Sequence, residues 1–218
     1  MTKVKICGIT NLEDGAKACE YGADLLGFIF VEGTPREIDP DTACCIVQEL
    51  RKKYSHVGMV GLFKDAEIED VVRIVSHCDL DYIQLHGSEA PDYCGELRKK
   101  LMDFGGPVQH KIIKVVKVKD KIDKTDIEGY DPVDYFVFDT FHPEISGGTG
   151  KSFDWKVLNQ YGLDKEFFIA GGLNPGNVLE AVGTARPYGV DVSSGVERSP
   201  GKKDENLLKE FIENAKKA

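Results

Sequence analysis

Eight short runs rich in apolar and β-branched residues recur along the chain: Val4 to Cys7, Leu25 to Phe30, His56 to Phe63, Tyr82 to His86, Lys111 to Val118, Tyr135 to Asp139, Phe167 to Ala170 and Gly189 to Ser193. Their starts fall roughly every 21 to 32 residues, about one strand–helix step. Between them lie stretches of helical periodicity opened by residues that satisfy or lack free N–H groups, such as Asn11 before Leu12, Asp65-Ala66-Glu67, Ser88 before Pro91, and Asn174-Pro175. The segment from Asp120 to Tyr130 reads as a short or irregular helix. No linker or change of composition interrupts the series, so residues 1–218 read as one domain. Eight uninterrupted units in a chain of this length predict an α/β fold, a single-domain (β/α)8 TIM barrel, ahead of an open doubly wound sheet.

Composition narrows the function. Lys and Arg number 28 against 37 Asp and Glu, a formal charge of −9, and no basic cluster interleaves with aromatics, so no nucleic acid is expected as a partner. The strongest apolar stretch, Leu25 to Val31, is far shorter than the roughly 20 residues of a membrane span, and no apolar signal core follows the N-terminus; no membrane association and a cytoplasmic location are expected. None of the six cysteines forms a Cys-x-x-Cys unit, so they are read as reduced thiols. The five histidines lack ligand spacing, and metal-free chemistry is expected.

In a barrel of this kind the chemistry sits where the strands end. The predicted strands carry polar groups there: Cys7, Gln84 and His86, Lys114, Asp139, Gly171-Gly172, and Asp191 with Ser193-Ser194-Gly195. All are expected to converge on one mouth. Asp139 is the sharpest, because a carboxylate after Tyr135-Phe136-Val137-Phe138 costs several kcal/mol unless it meets water, a ligand or a partner. The loops after strands seven and eight, Ala170-Gly171-Gly172-Leu173 and Val192-Ser193-Ser194-Gly195, place glycines and hydroxyls where an anion can approach the main chain. A short helix opening at Gly195 would aim its positive end the same way. The ordinal position of both loops favours a phosphate cradle of Gly171, Gly172, Ser193, Ser194 and Gly195 over two plain turns. Gly147-Gly148-Thr149-Gly150-Lys151-Ser152 is not a nucleotide loop, since Ile145 stands where that pattern needs glycine; Thr140 to Phe153 reads as a lid or as a loop without a role.

Taken in order, Val4-Lys5-Ile6-Cys7-Gly8-Ile9-Thr10, Thr34-Pro35-Arg36, Gln84-Leu85-His86-Gly87, Phe138-Asp139-Thr140, Gly147 to Lys151, Gly171-Gly172-Leu173-Asn174-Pro175 and Asp191-Val192-Ser193-Ser194-Gly195-Val196-Glu197 with Pro200-Gly201-Lys202-Lys203 resemble the phosphoribosylanthranilate isomerase family over the whole chain. The lid departs from the pattern by extra residues, Phe141 to Ser146.

The resemblance implies an isomerase of tryptophan biosynthesis. Its reaction is a cofactor-free Amadori rearrangement of N-(5-phosphoribosyl)anthranilate to 1-(2-carboxyphenylamino)-1-deoxyribulose 5-phosphate. One acid and one base must flank the sugar, and Cys7 as base with Asp139 as acid supply them. Those roles require the thiol, near pKa 8.5 by itself, to be lowered and the carboxyl, near 3.9, to be raised. The plainer readings are a small core cysteine in the barrel's bottom layer and an aspartate capping the lid. Arg36 is the candidate for the substrate carboxylate. Gln84 and His86 are assigned to hydrogen bonding within the mouth, His86 being equally readable as structural, and Asp191 to a sugar hydroxyl or the intermediate amine. The competing functions are another sugar-phosphate isomerase or epimerase on the same barrel, and a non-catalytic barrel binding a phosphorylated metabolite. The expected partner is a small phosphorylated substrate, the chain acting as monomer or homodimer. The charge-rich helices Leu97 to Leu101 and Lys203 to Lys216 read as solvated faces.

Overall fold

Side chains on a strand alternate between two faces, and in this chain the two faces bury against different things. The computed structural model describes residues 1–103, 110–119, 121–140, 152–161 and 164–217. Eight parallel strands, β1 (Lys3–Cys7), β2 (Leu25–Ile29), β3 (Gly58–Phe63), β4 (Tyr82–Leu85), β5 (Lys111–Val118), β6 (Tyr135–Thr140), β7 (Phe167–Ile169) and β8 (Gly189–Val192), close in chain order into a barrel. The predicted fold class holds. Outward residues such as Val4, Ile6, Leu26, Phe28, Leu85, Val116 and Phe138 pack against the helices in the main core. Inward residues Leu25, Val60, Ile113, Val115, Val137 and Phe168 fill the barrel, with Tyr82, Tyr135 and Tyr188 packed against them.

Among the described residues, six α-helices cover the strands: α1 (Leu12–Glu20), α2 (Pro40–Arg51), α3 (Ile68–Cys78), α4 (Pro91–Asp103), α5 (Val178–Ala185) and α6 (Glu205–Lys217). The predicted Asn11 start is real: its side chain accepts from the Asp14 N–H at 2.9 Å. Asp39 caps α2, with Pro40 in the first turn, where a missing donor is no loss. The fifth crossover is short as expected, a 3-10 turn at Lys124–Asp126. The described part of the sixth carries a 3-10 segment, Trp155–Gln160, whose three-residue period sets the buried Trp155 and Leu158 on one side.

Beyond β8 the expected helix is a single 3-10 turn, Ser194–Val196, followed by a hairpin that the sequence did not suggest: β9 (Glu197–Ser199) and β10 (Lys202–Lys203). Pro200-Gly201 makes its turn, with Gly201 at φ +75° as the third residue of a type II turn requires. Lys203, expected on a solvated face, is instead a buried residue of this hairpin. No helix among the described residues is long and apolar enough to cross a membrane. Most of the expected lid, including Gly147 to Lys151 and Phe141 to Ser146, lies outside the described residues.

Candidate active site

Strand parity decides which polar side chains enter the mouth. On β1, Lys5 and Cys7 point inward with the residues they face, Leu25 and Gly27 on β2 and Asp191 on β8. On β5 the inward series is Ile113, Val115, Lys117, and Lys117 faces Asp139 across the β5–β6 ladder. Cys7 and Asp139 therefore sit at the inward, C-terminal ends of strands well separated around the ring. Cys7 is near the top of the interior, not in its bottom layer. Gln84, paired with inward Ile113, and Asp191, paired with Lys5, also face in.

Lys114 is a correction. It lies one step off the inward series and faces the helix layer. There its ammonium is buried 2.7 Å from Glu89 Oε2 and donates to the Gly87 carbonyl at 2.7 Å. Glu89 in turn accepts from the amides of Asp65 and Gly87, so this ion pair braces the loops after β3 and β4.

At the Cys7 end, Lys5 Nζ donates to Asp191 Oδ2 at 2.8 Å, with the two side chains 1% and 7% exposed. A Cβ on Gly27 would stand 2.8 Å from Cys7 Sγ and 3.1 Å from Lys5 Nζ, so the bare glycine leaves room for thiol and ammonium side by side. Burial pushes the Cys7 thiol up, outweighing the pull of the Lys5 ammonium; the neighbouring Asp191 adds to the rise. This reverses the lowered pKa the sequence argument required: at rest Cys7 is a thiol. Burial acts against the Lys5 charge, but Asp191 and Cys7 hold its pKa above the ordinary value.

At the Asp139 end, Lys117 donates to Oδ2, and His86 Nε2 lies 3.4 Å from the same oxygen. Burial would raise the Asp139 pKa, but contact with His86 and the Lys117 charge override it and bring it down to about 2. Here too the required direction is reversed, and the resting group is a carboxylate. Burial holds the His86 pKa below its usual value, so the ring is neutral. Lys117 Nζ stands 2.6 Å from Nε2, so the lysine, the ring and the Asp139 carboxylate form one cluster. Gly171, at φ +83°, lets the β7 loop press against this end: a Cβ there would stand 2.6 Å from Asp139 Oδ1.

Arg36 reaches the mouth, since a Cβ on Gly8 would meet Arg36 Cδ at 2.8 Å and Ser193 Oγ at 3.0 Å. Its fork is already engaged, however. Nε donates to Glu197 Oε1 at 2.9 Å and Nη2 to Oε2 at 2.7 Å, while Nη1 has no hydrogen-bond partner among the described residues. Glu197 also takes Lys203 Nζ at 2.9 Å, and Lys203 donates to the carbonyls of Cys7 at 2.6 Å and Ser193 at 3.3 Å. The hairpin thus clamps the end of β1 to the end of β8. In the cradle, Gly195 lies so close to the Leu173 carbonyl that no side chain fits, which brings the β7 and β8 loops into contact. Gln84 Oε1, His86 Nδ1, Asp191 Oδ1 and Ser193 Oγ are buried and have no hydrogen-bond partner among the described residues. Buried polar atoms ordinarily find partners, so four orphans on the mouth side describe a place built for a polar ligand.

Sequence reasoning missed Lys5, Lys117, Glu197 and Lys203. For the first two the signal was present, since both share the parity of a neighbouring inward residue. For Glu197 and Lys203 it was not, because their partners are supplied by a hairpin and a loop distant in sequence.

Comparison with known proteins agrees with this geometry. The sequence model of the N-(5'phosphoribosyl)anthranilate (PRA) isomerase family matches residues 4–214. The N-(5'-phosphoribosyl)anthranilate isomerase of Geobacter sp. (strain M21) is 44% identical over 217 residues, covering 100% of this chain and 99% of the relative; that of Citrifermentans bemidjiense is 44% identical with 100% and 98% covered. The crystal structure of phosphoribosyl anthranilate isomerase from Thermotoga maritima superposes with a TM-score of 0.83 at 39% identity, covering all of both chains. A further solved phosphoribosyl anthranilate isomerase, 37% identical with a TM-score of 0.79 and full coverage of both chains, holds reduced 1-(o-carboxyphenylamino)-1-deoxyribulose 5-phosphate. The chain that builds this barrel and mouth belongs to the N-(5'-phosphoribosyl)anthranilate isomerase family, the isomerases of tryptophan biosynthesis.

Proposed function

We propose that Cys7 and Asp139 carry the family's reaction in this chain, the Amadori rearrangement of N-(5-phosphoribosyl)anthranilate to 1-(2-carboxyphenylamino)-1-deoxyribulose 5-phosphate. Asp139, once protonated, gives its proton to the ribose ring oxygen as the C1–O bond breaks and the amine lone pair forms the iminium. Cys7, having first released its own proton to solvent, takes the C2 proton as thiolate, and the electron pair left behind neutralises the iminium to an enolamine, which tautomerises to the ketone. The observation that supports this is the inward placement of both groups at strand ends, each beside a lysine from the ring of strands.

Gly171, Gly172, Ser193, Ser194 and Gly195 anchor the phosphate, Arg36 Nη1 meets the anthranilate carboxylate, Asp191 steadies the amine or a sugar hydroxyl, and Gln84 and His86 Nδ1 bond within the mouth. Residues 1–218 act as one cytoplasmic domain, monomer or homodimer, on a small phosphorylated substrate with neither nucleic acid nor membrane as partner. The test is fluorescence-monitored consumption of freshly made phosphoribosylanthranilate. Cys7→Ala and Asp139→Asn should each lose at least about 100-fold in turnover with the fold intact. Wild-type-like turnover in either variant removes that residue from the mechanism.

A further inference from the structure

Among the described residues, the cations that reach the mouth are already spoken for. Arg36 and Lys203 share Glu197, Lys5 holds Asp191, and Lys117 holds Asp139. A substrate carrying a phosphate and a carboxylate brings negative charge into a site whose positive groups are engaged. They differ in freedom to change partner. Lys5 and Lys203 are 1% exposed and Arg36 is 16% exposed, whereas Lys117 is 37% exposed, on a flexible four-carbon stem. Lys5 and Lys203 are also walled in by their acceptors, and Arg36 is gripped through two nitrogens. Among the described residues, Lys117 meets the Asp139 carboxylate from β6 and the His86 ring from beyond β4.

We propose that Lys117 is a positioning residue that changes partners: it guards Asp139 in the resting enzyme and passes to an oxyanion of the entering substrate, its phosphate or its carboxylate. The proposal rests on the reading of Asp139 as the acid. The ammonium keeps all its protons throughout; it exchanges one carboxylate for another oxyanion. Asp139, deprived of its cation, takes up one proton from water and becomes the carboxylic acid that the ring oxygen requires. Its other oxygen, Oδ1, lies against the Gly171 loop of the cradle, so the acid is released beside the anchored sugar phosphate. The same movement frees His86 Nε2.

Two measurements test this. In steady-state kinetics, Lys117→Met should raise KM about tenfold or more, with the smaller share of the loss in kcat, and Lys117→Arg should recover most of it. Inorganic phosphate and anthranilate, used as competitive inhibitors, identify the oxyanion: the one that Lys117 receives loses at least about fivefold in affinity in Lys117→Met. Second, a crystal structure of the wild-type chain with reduced 1-(o-carboxyphenylamino)-1-deoxyribulose 5-phosphate should place Lys117 Nζ within hydrogen-bond distance of a ligand phosphate or carboxylate oxygen and away from Asp139. An unchanged KM with both inhibitors bound equally well, or Lys117 still on Asp139 in that complex, overturns the exchange. If Asp139→Asn keeps full turnover while Lys117 does move to the ligand, the assignment of the acid fails and the anion contact stands.

Discussion

Protonating Asp139 is the perturbation whose size the structure fixes best. Its carboxyl, 13% exposed, is brought from 3.8 to about 2 by His86 and Lys117 against the opposing effect of burial. At about 1.4 kcal/mol per unit, that depression corresponds to about 2 kcal/mol favouring the ionised form in the folded protein. Because the folded pKa lies below the unfolded one, this stability is present above pH 4 and is lost as pH falls towards 2; by pH 3 about half is gone. Urea unfolding of the wild type and of Asp139→Asn at pH 6 and pH 3 isolates the contribution: the wild type should lose about 1 kcal/mol more than the variant over this interval. The same pKa leaves only about one molecule in 10⁵ with a protonated Asp139 at pH 7, so the acid must be created by binding. Carbon-13 NMR of the labelled carboxyl should show the titration near 2 in the free protein and several units higher in the complex with the reduced product analogue. Equal stability losses in the two proteins, or a carboxyl still titrating near 2 in the complex, would refute the argument.

The pairing of Lys5 with Cys7 makes a different prediction: in a Cys45→Ser background, Lys5→Met should slow iodoacetamide alkylation of Cys7 several-fold at pH 8. It should also destabilise the fold by about 3–5 kcal/mol, because Asp191 is left buried and unpaired; alkylation as fast as in the parent would show that the ammonium does not act on the thiol. Gly195→Ala must push the β7 and β8 loops apart at Leu173, so inhibition by inorganic phosphate should weaken at least about tenfold, and undiminished inhibition would place the cradle elsewhere.

The strand count, the crossover weakness near Asp120 and the inward Cys7, Gln84, Asp139 and Asp191 were legible because they depend on local period and parity. Lys114 and Lys117 show where that legibility was left unused: both are lysines in one apolar strand, and only counting from Ile113 separates a brace in the helix layer from a contact with Asp139. The protonation states ran opposite to the demand placed on them. Chemistry says what a group must be at the transition state, whereas burial and neighbouring cations, which arrive from other strands, set what it is at rest. Arg36 lies in the loop past β2 as its place in the chain requires, but Glu197, which engages its fork, comes from 161 residues away in sequence and was beyond local reasoning.

The alternation along β5 ties assembly to catalysis. Sliding that strand by a single position would drive Lys114 into the lumen, turn Lys117 out towards the helices, and strip both Asp139 and Glu89 of their counter-charges at once. Mispaired chains would thus carry two stranded carboxylates, so the two lysines of β5, one at the mouth and one in the helix layer, both penalise the wrong ladder.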